Sequence, residues 1–331
     1  MKVSELGEFG LIDLLAKLVA DSQGKRVASR RIISDIGDDT AAWHAADSVQ
    51  LATVDAMVQD VHFTLDTITW EELGWKSLAI NLSDIAAMGG VPEFALIALG
   101  LPGDTGVENI KKIYEGILEL ANRHDVAVVG GNMCSSPVIS ITITVTGSSP
   151  DGKLLRRSMA KPGDIIAMTG YAGSAAAGLA MLKEKLQFGA ETATYLRTAF
   201  TRPQPRIVEG QLLLKHGVTT AIDISDGLLA DLRHICEASE VGALVNVDKV
   251  PVHAGIQSKF GERARELTLT GGEDYELLFT ADRKIIDKVK EEATTPVTII
   301  GEITEEEVGK IRAVDTEGNA IKINRAGWEH F

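Results

Sequence analysis

Apolar segments of this chain repeatedly run into acidic side chains, and that recurrence constrains its fold more than any other feature. RIISDIG leads to Asp38 and Asp39, QLATV to Asp55, and TTAIDISDG carries Asp223 and Asp226. Asp84 sits within AINLSDIAAMGG, with the apolar Leu82 and Ile85 beside it, so this stretch reads as a buried helix. A carboxylate in such a setting needs partners, because burying an unpaired charge is expensive. Two carboxylates about 4 Å apart repel by roughly 4 kcal/mol at an effective dielectric near 20. Converging acids therefore raise one another's pKa values or hold a cation. Carboxylate, carbonyl and hydroxyl oxygens without nearby Cys or His suit Mg²⁺. An Asp after a strand is also an ordinary turn residue or helix cap. Each motif alone is open to that reading, and the recurrence favours a shared site.

The chain has 331 residues, which suits two domains of about 150 residues each. Asp plus Glu number 47 against 33 Lys plus Arg, a formal charge of -14. An acidic surface of that size repels nucleic-acid phosphates and anionic membranes, so neither is expected as a partner. The two cysteines, Cys134 and Cys236, make neither a disulfide framework nor a zinc pattern. The N-terminal stretch reads as an amphipathic helix and not as a signal peptide. No apolar run approaches the roughly 18 residues needed to span a bilayer. A reducing, cytoplasmic setting is expected.

Periodicity predicts a helix from Gly7 to Ala20, a short strand from Arg31 to Ile36 and a strand from Val49 to Val54. Thr69-Trp70-Glu71-Glu72 has the form of a capping box and opens a helix to about Met88. Next come a strand from Phe94 to Leu99, a helix from Asn109 to His124, and strands at Val126–Val129 and Val138–Thr146 around a Gly130-Gly131-Asn132 loop. The turn formers Ser148-Ser149-Pro150-Asp151-Gly152 mark a boundary, giving domains over 1–148 and 149–331. Beyond it the pattern predicts a strand at Asp164–Met168, a helix at Ser174–Lys185, a strand at Thr219–Ile224, a helix from Ser225 to about Ala238, and an alternating strand at Tyr275–Thr280. Several strand pairs lie too close together for helical crossovers, which favours an α+β fold over a doubly wound parallel sheet.

There is no G-x-x-x-x-G-K-[ST] loop, no protein-kinase glycine-rich loop and no G-x-S-x-G elbow. The Gly170–Gly173 loop precedes a helix and is open to two readings, phosphate binding at the helix N-terminus or tight packing. IGDD at 36–39, NLSDIAAMGG at 81–90, AIDISDGL at 221–228 and GGEDYELLFT at 271–280 closely resemble the thiamine-monophosphate kinase family. So do GEFGLI at 7–12, QDVHF at 59–63, KPGD at 161–164 and the closing Gly327-Trp328. The matches run in order along nearly the whole chain.

The resemblance implies a two-domain fold of the aminoimidazole-ribonucleotide-synthetase type. Its N-terminal mixed α/β domain forms the sheet of a homodimer, and ATP binds in a cleft rich in Mg²⁺. The implied reaction is thiamine monophosphate plus ATP giving thiamine diphosphate plus ADP. By the same resemblance Asp39, Thr53, Val54, Asp55, Asp84, Asn132, Asp223 and Asp226 are metal-site residues, Val54 through its carbonyl. Tyr114, Gly131, Asn132, Arg157 and Ser225 are ATP contacts, and His62, Glu273 and Trp328 are substrate contacts. No catalytic residue beyond the metal ligands is implied, and several Mg²⁺ ions are.

Three stretches depart from the family pattern. Asn132-Met133-Cys134 stands where an acid or Asn and two threonines are usual, Val54 where Thr is common, and Ala56–Asp60 differs before Val-His-Phe. Two alternatives accompany the kinase reading. One is another ATP-using enzyme of the same fold. Against it, the first 133 residues lack the reactive Cys of a selenophosphate synthetase, and the chain ends without the Cys of the hydrogenase-maturation relative. The other is a nucleotide- or thiamine-phosphate-binding regulator without turnover.

Overall fold

The computed structural model describes residues 2, 8–23, 32–34, 42–43, 48–149, 151–321 and 327. The chain forms two compact units, one of residues 1–85 with 91–152, the other of 86–90 with 153–331.

The first unit contains α1 (Glu8–Gln23), β1 (Ile32–Ser34), β2 (Ala42–Trp43), β3 (Val49–Val58), α2 (Trp70–Ala87), β4 (Val91–Leu101), α3 (Val107–Arg123), β5 (Ala127–Ser135) and β6 (Ser140–Ser149). The last two residues of α2 already belong to the second unit. The main sheet has the order β3-β6-β4-β5, antiparallel except for the parallel β4–β5 pair joined through α3. A strand's side chains alternate between faces. Met57, Ile141, Ile143, Val145, Ile97 and Leu99 are accordingly buried on one face. Val54, Ala56, Thr142, Thr144, Leu96 and Ala98 lie on the other, all at least partly exposed.

The capping box forms as expected. The Thr69 N–H donates to Glu72 Oε2 at 2.9 Å, and the Glu72 N–H donates to Thr69 Oγ1 at 3.3 Å. Helix α2 then meets α3 across two glycines. A Cβ on Gly74 would lie 1.9 Å from the Ile113 carbonyl oxygen, and one on Gly116 would lie 1.9 Å from that of Glu71. Only residues without side chains allow so close an approach, and it fixes α2, the carrier of Asn81 and Asp84.

The predicted Gly130-Gly131-Asn132 loop is not a loop. Strand β5 continues through it to Ser135. Gly131 lets β5 lie against β4, since a Cβ there would sit 1.8 Å from the Ile97 oxygen.

The second unit contains β7 (Ile165–Thr169), α4 (Ser174–Glu184), α5 (Ala190–Thr201), α6 (Ile207–Lys215), β8 (Thr220–Asp223), α7 (Leu228–Ala238), β9 (Gly242–Asn246), α8 (Ala254–Phe260), α9 (Glu262–Thr270), β10 (Leu277–Ala281), α10 (Arg283–Glu292), β11 (Val297–Thr304) and β12 (Ile311–Val314). Its six-stranded sheet has the order β12-β9-β11-β7-β10-β8, antiparallel apart from β12–β9. The fold is α+β in two domains. Tyr275–Thr280 was expected to alternate. The strand instead starts at Leu277 and is buried throughout, as is the edge strand β8 beside it, so both faces of the sheet are covered there. The helix expected from Ser225 starts at Leu228, because the amides of Ser225, Asp226 and Gly227 turn to the Asp231 carboxylate.

Alanine is the better helix former by roughly 0.8–1 kcal/mol, whereas overpacking costs about 1–3 kcal/mol. Gly74→Ala and Gly116→Ala should each therefore destabilise the protein by about 1–2 kcal/mol in chemical denaturation. An unchanged or raised midpoint would show that the α2–α3 contact is not as close as described.

Candidate functional site

Each unit carries its own group of acids. In the first unit the group is built by two periodicities. Residues 53, 55 and 57 share one face of β3, and residues 77, 81 and 84 share one stripe of α2. The Thr53 hydroxyl donates to Asp84 Oδ2 at 2.5 Å. The Asp55 N–H, on an edge strand, donates to Asn81 Oδ1 at 3.1 Å. Asn81 Nδ2 donates in turn to the Ser77 carbonyl at 3.1 Å, and the Ser77 hydroxyl to that of Leu73 at 2.7 Å. Asn81 is fully buried, while Thr53, Asp55 and Asp84 remain partly accessible. A hydroxyl and a carboxylate thus meet between strand and helix, with the Asp55 side chain on the same strand face as Thr53.

Other predicted residues of this unit lie elsewhere. The Val54 side chain is 59% exposed on the opposite face of β3 from Thr53 and Asp55. Asn132 is paired in register with Ala98, and Ala98 with Thr142, which places Asn132 in line with the partly exposed face. The structure does not join it to the Thr53–Asp55–Asp84 group. Tyr114 is buried in α3 at 5% exposure, and that burial pushes its phenol pKa up. His62 accepts the Val58 N–H at Nδ1, 3.1 Å away, which leaves the proton of a neutral ring on Nε2. Asp38, Asp39 and Trp328 lie outside the described residues.

In the second unit, β8 ends at the buried Asp223, and the Ser225-Asp226-Gly227 turn follows. Asp226, Asp231 and His234 each bring one ligand atom within 4.8 Å of the others. Sequence reasoning missed Asp231. Its spacing, three residues into a helix after an acidic turn, was the available signal. Burial, followed by the charges of Asp223 and Asp226, pushes the Asp231 carboxyl up to about 8 against the pull of the Gly227 and Asp226 amides.

The Glu273 N–H donates to the Ser225 carbonyl at 2.8 Å, and the Tyr275 N–H to that of Ile224 at 2.9 Å, so the GGEDYE segment lies alongside the acidic turn. Glu273 and Tyr275 both adopt left-handed backbone, with φ of 71° and 52°. Such residues are strained, by about 1–3 kcal/mol each, and persist where the surroundings hold them. The residues that alternate with them do the holding. Asp274 accepts the Gly173 and Ala175 N–H groups, at 2.6 and 3.0 Å, at the start of α4. Glu276 accepts two donors from Arg206, together with the Thr169 hydroxyl at 2.6 Å. The helix start after Gly170–Gly173, one of the two readings of that loop, is thus occupied by a carboxylate of the chain itself. Burial raises Asp274 to about 7, opposed by the Ala175 and Gly173 amides. Arg157 sits in an exposed 3-10 turn whose carbonyl accepts the Ser239 hydroxyl at 2.7 Å.

Asp231 and Asp274 both bind protons more tightly folded than unfolded, so the stability they confer is greatest in acid. It is lost as pH rises through about 7 to 8. In EDTA the Tm should fall between pH 6 and pH 9, by roughly 2–4 °C per kcal/mol lost, and Asp274→Asn should flatten the slope. A melting temperature independent of pH over that range would contradict this.

Models of two families match the chain. The AIR synthase related protein N-terminal domain covers residues 37–149, and the corresponding C-terminal domain covers 161–314. The thiamine-monophosphate kinase of Bacillus subtilis is 37% identical over 303 residues, 89% of this chain and 93% of that protein. The crystal structure of thiamine-monophosphate kinase from Stenotrophomonas maltophilia superposes with a TM-score of 0.82 at 34% identity, covering 93% of this chain and 96% of that one. AaThiL complexed with AMPPCP and TMP superposes at 0.77 with 32% identity, over 100% of this chain and 99% of that one. With its acids disposed as above, the chain belongs to the thiamine-monophosphate kinase family.

Proposed function

We propose that this chain phosphorylates thiamine monophosphate with ATP, giving thiamine diphosphate and ADP, with Mg²⁺ held by its grouped acids. The observation that carries the metal part is the Thr53–Asp84 contact beside Asp55, hard oxygen donors gathered on one strand face and one helix stripe. In the second unit Asp223 and Asp226 offer carboxylate oxygens as well, and His234 brings a nitrogen donor within 4.8 Å of Asp226. The oxygen donors fit Mg²⁺ in preference to softer metals. The substrate part rests on the family, whose members include the complex with AMPPCP and TMP.

The acceptor is already a phosphate, largely ionised near neutral pH because its second pKa is about 6. It needs no general base. The barrier is the approach of two polyanions, and bound Mg²⁺ supplies neutralisation of their charge. The chain's own part is positioning. Thr53 orients the Asp84 carboxylate, Asn81 holds the backbone at Asp55, and Asp274 and Glu276 hold Glu273 in left-handed backbone. His62, Glu273 and Trp328 are assigned to the thiamine monophosphate, with Glu273 complementing the thiazolium charge and Trp328 stacking on its ring. Gly131, Asn132, Arg157, Ser225 and Tyr114 are assigned to ATP, and Asp39, the Val54 carbonyl and Asn132 to further metal contacts.

The chain is proposed to act as a homodimer, in the cytoplasm. What supports the dimer is the sheet face carrying Val54, Ala56, Leu96 and Ala98, which leaves apolar side chains partly exposed in a single chain. Among the described residues no helix is long and apolar enough to cross a membrane.

Incubation with ATP, Mg²⁺ and thiamine monophosphate should yield thiamine diphosphate, followed by chromatography. Binding of both substrates without product would favour the regulator reading instead. Asp55→Ala and Asp84→Ala should each lower kcat by at least about 100-fold while the protein stays folded, the scale of losing a positioned electrostatic group. For the dimer, Ala98→Glu should convert the sedimentation behaviour from dimer to monomer; an unaltered mass would place the interface elsewhere.

A further inference from the structure

The Ser225-Asp226-Gly227 turn is held by an acid to which the phosphoryl-transfer reading gives no task. Asp231 lies in the first turn of α7 and is 1% exposed. A single atom, Asp231 Oδ2, accepts three consecutive peptide N–H groups. Ser225 donates at 3.0 Å, Asp226 at 3.1 Å and Gly227 at 3.1 Å. The contact is reciprocal, because the Asp231 N–H donates to the Gly227 carbonyl at 3.0 Å. Three donors aimed at one point leave the turn's backbone little freedom, as in the anion-binding nests that successive amides form around bound ions.

The turn's carbonyls are confined as well. A Cβ on Gly272 would lie 2.3 Å from the Ser225 oxygen, and one on Gly327 would lie 2.7 Å from that of Asp226. Gly227 itself has φ 125° and ψ 147°, a conformation open essentially to glycine alone. The amides are thus anchored on one acid and the carbonyls packed against two glycines, while the Ser225 and Asp226 side chains remain partly exposed.

We infer that Asp231 is a positioning residue: its Oδ2 sets the backbone of the turn, and through it the aim of Asp226 and Ser225 toward a divalent cation. This rests on the assignment of Asp226 as a metal residue. Two readings of the acid compete. As a direct ligand or a source of negative charge, Asp231 acts through its charge. As a positioning residue, it acts through the place of one acceptor oxygen. Near Asp223 and Asp226 a further negative charge would be a burden, whereas the acceptor oxygen is used by three amides.

Two conservative variants separate these readings. Asp231→Asn keeps an acceptor oxygen in place and removes the charge. Asp231→Glu keeps the charge and moves the oxygens by one methylene. The readout is Mn²⁺ binding, titrated by the loss of the free Mn²⁺ electron paramagnetic resonance signal, without ATP or thiamine monophosphate. Asp226→Asn identifies the site that belongs to the turn. At that site Asp231→Asn should stay within about 3-fold of the unaltered protein, whereas Asp231→Glu should weaken binding by roughly 10–100-fold, the range found for groups that orient metal ligands. Combined with Asp226→Asn, Asp231→Glu should add no further loss, since the two act on one site. The reverse order, with Asn weak and Glu normal, would overturn the inference in favour of charge. Normal binding in both variants, or no Mn²⁺ site sensitive to Asp226→Asn, would overturn it outright. Thiamine diphosphate formation by the unaltered protein is scored separately. Its absence beside the predicted Mn²⁺ pattern would fail the kinase reading alone, and its presence beside the reverse pattern would fail this inference alone.

Discussion

The hydrogen bond from Thr53 to Asp84 depends on a helix and an edge strand being held at a fixed separation, and much of the first unit serves that end. Helix α2 cannot drift from β3 without breaking both this bond and the one from Asp55 to Asn81. It is also held by the two close glycine contacts with α3. The buried Asn81 spans the gap, accepting from the strand and donating back into its own helix. A partly buried carboxylate without such donors would take up a proton or turn away.

The second unit solves the same problem with peptide amides. Asp231 and Asp274 each collect N–H groups from a neighbouring turn or helix start, and Glu276 collects a guanidinium and a hydroxyl. In each case the acid defines the path of the chain that donates to it. The strained backbone at Glu273 and Tyr275 is the consequence. Anchors on either side hold two side-chain-bearing residues in a region that glycine ordinarily occupies. What the unit gains is a pair of adjacent segments, Ser225–Gly227 and Glu273–Glu276, whose paths are fixed by contacts to one another and to α4 and α7.

Much of this was legible in the chain itself. The capping box at Thr69 needs only a local pattern, and both of its hydrogen bonds are present. Asp55 stood at the expected end of a strand and Asp84 within an expected helix; the strand runs on to Val58, and its alternation puts Thr53 and Asp55 on one face. The ordered motifs led to the family. The loop around Gly131 was misjudged because two glycines in a row signal a turn locally, whereas their use here is to let β5 pass close to β4. The alternation expected over Tyr275–Thr280 failed because this end of the sheet is covered on both faces, as the equally buried edge strand β8 shows.

What the sequence by itself determined is which acids stand at the ends and turns of apolar elements, and therefore the class of chemistry the chain supports. Only the tertiary structure decided which donors each acid receives: Thr53 for Asp84, the α4 amides for Asp274, three successive amides for Asp231. The physical reason is range. Periodicity and capping act over a few residues, while a carboxylate's partners come from wherever the packed core brings a donor within about 3 Å, and Gly173 lies 101 positions from the acid that accepts its proton.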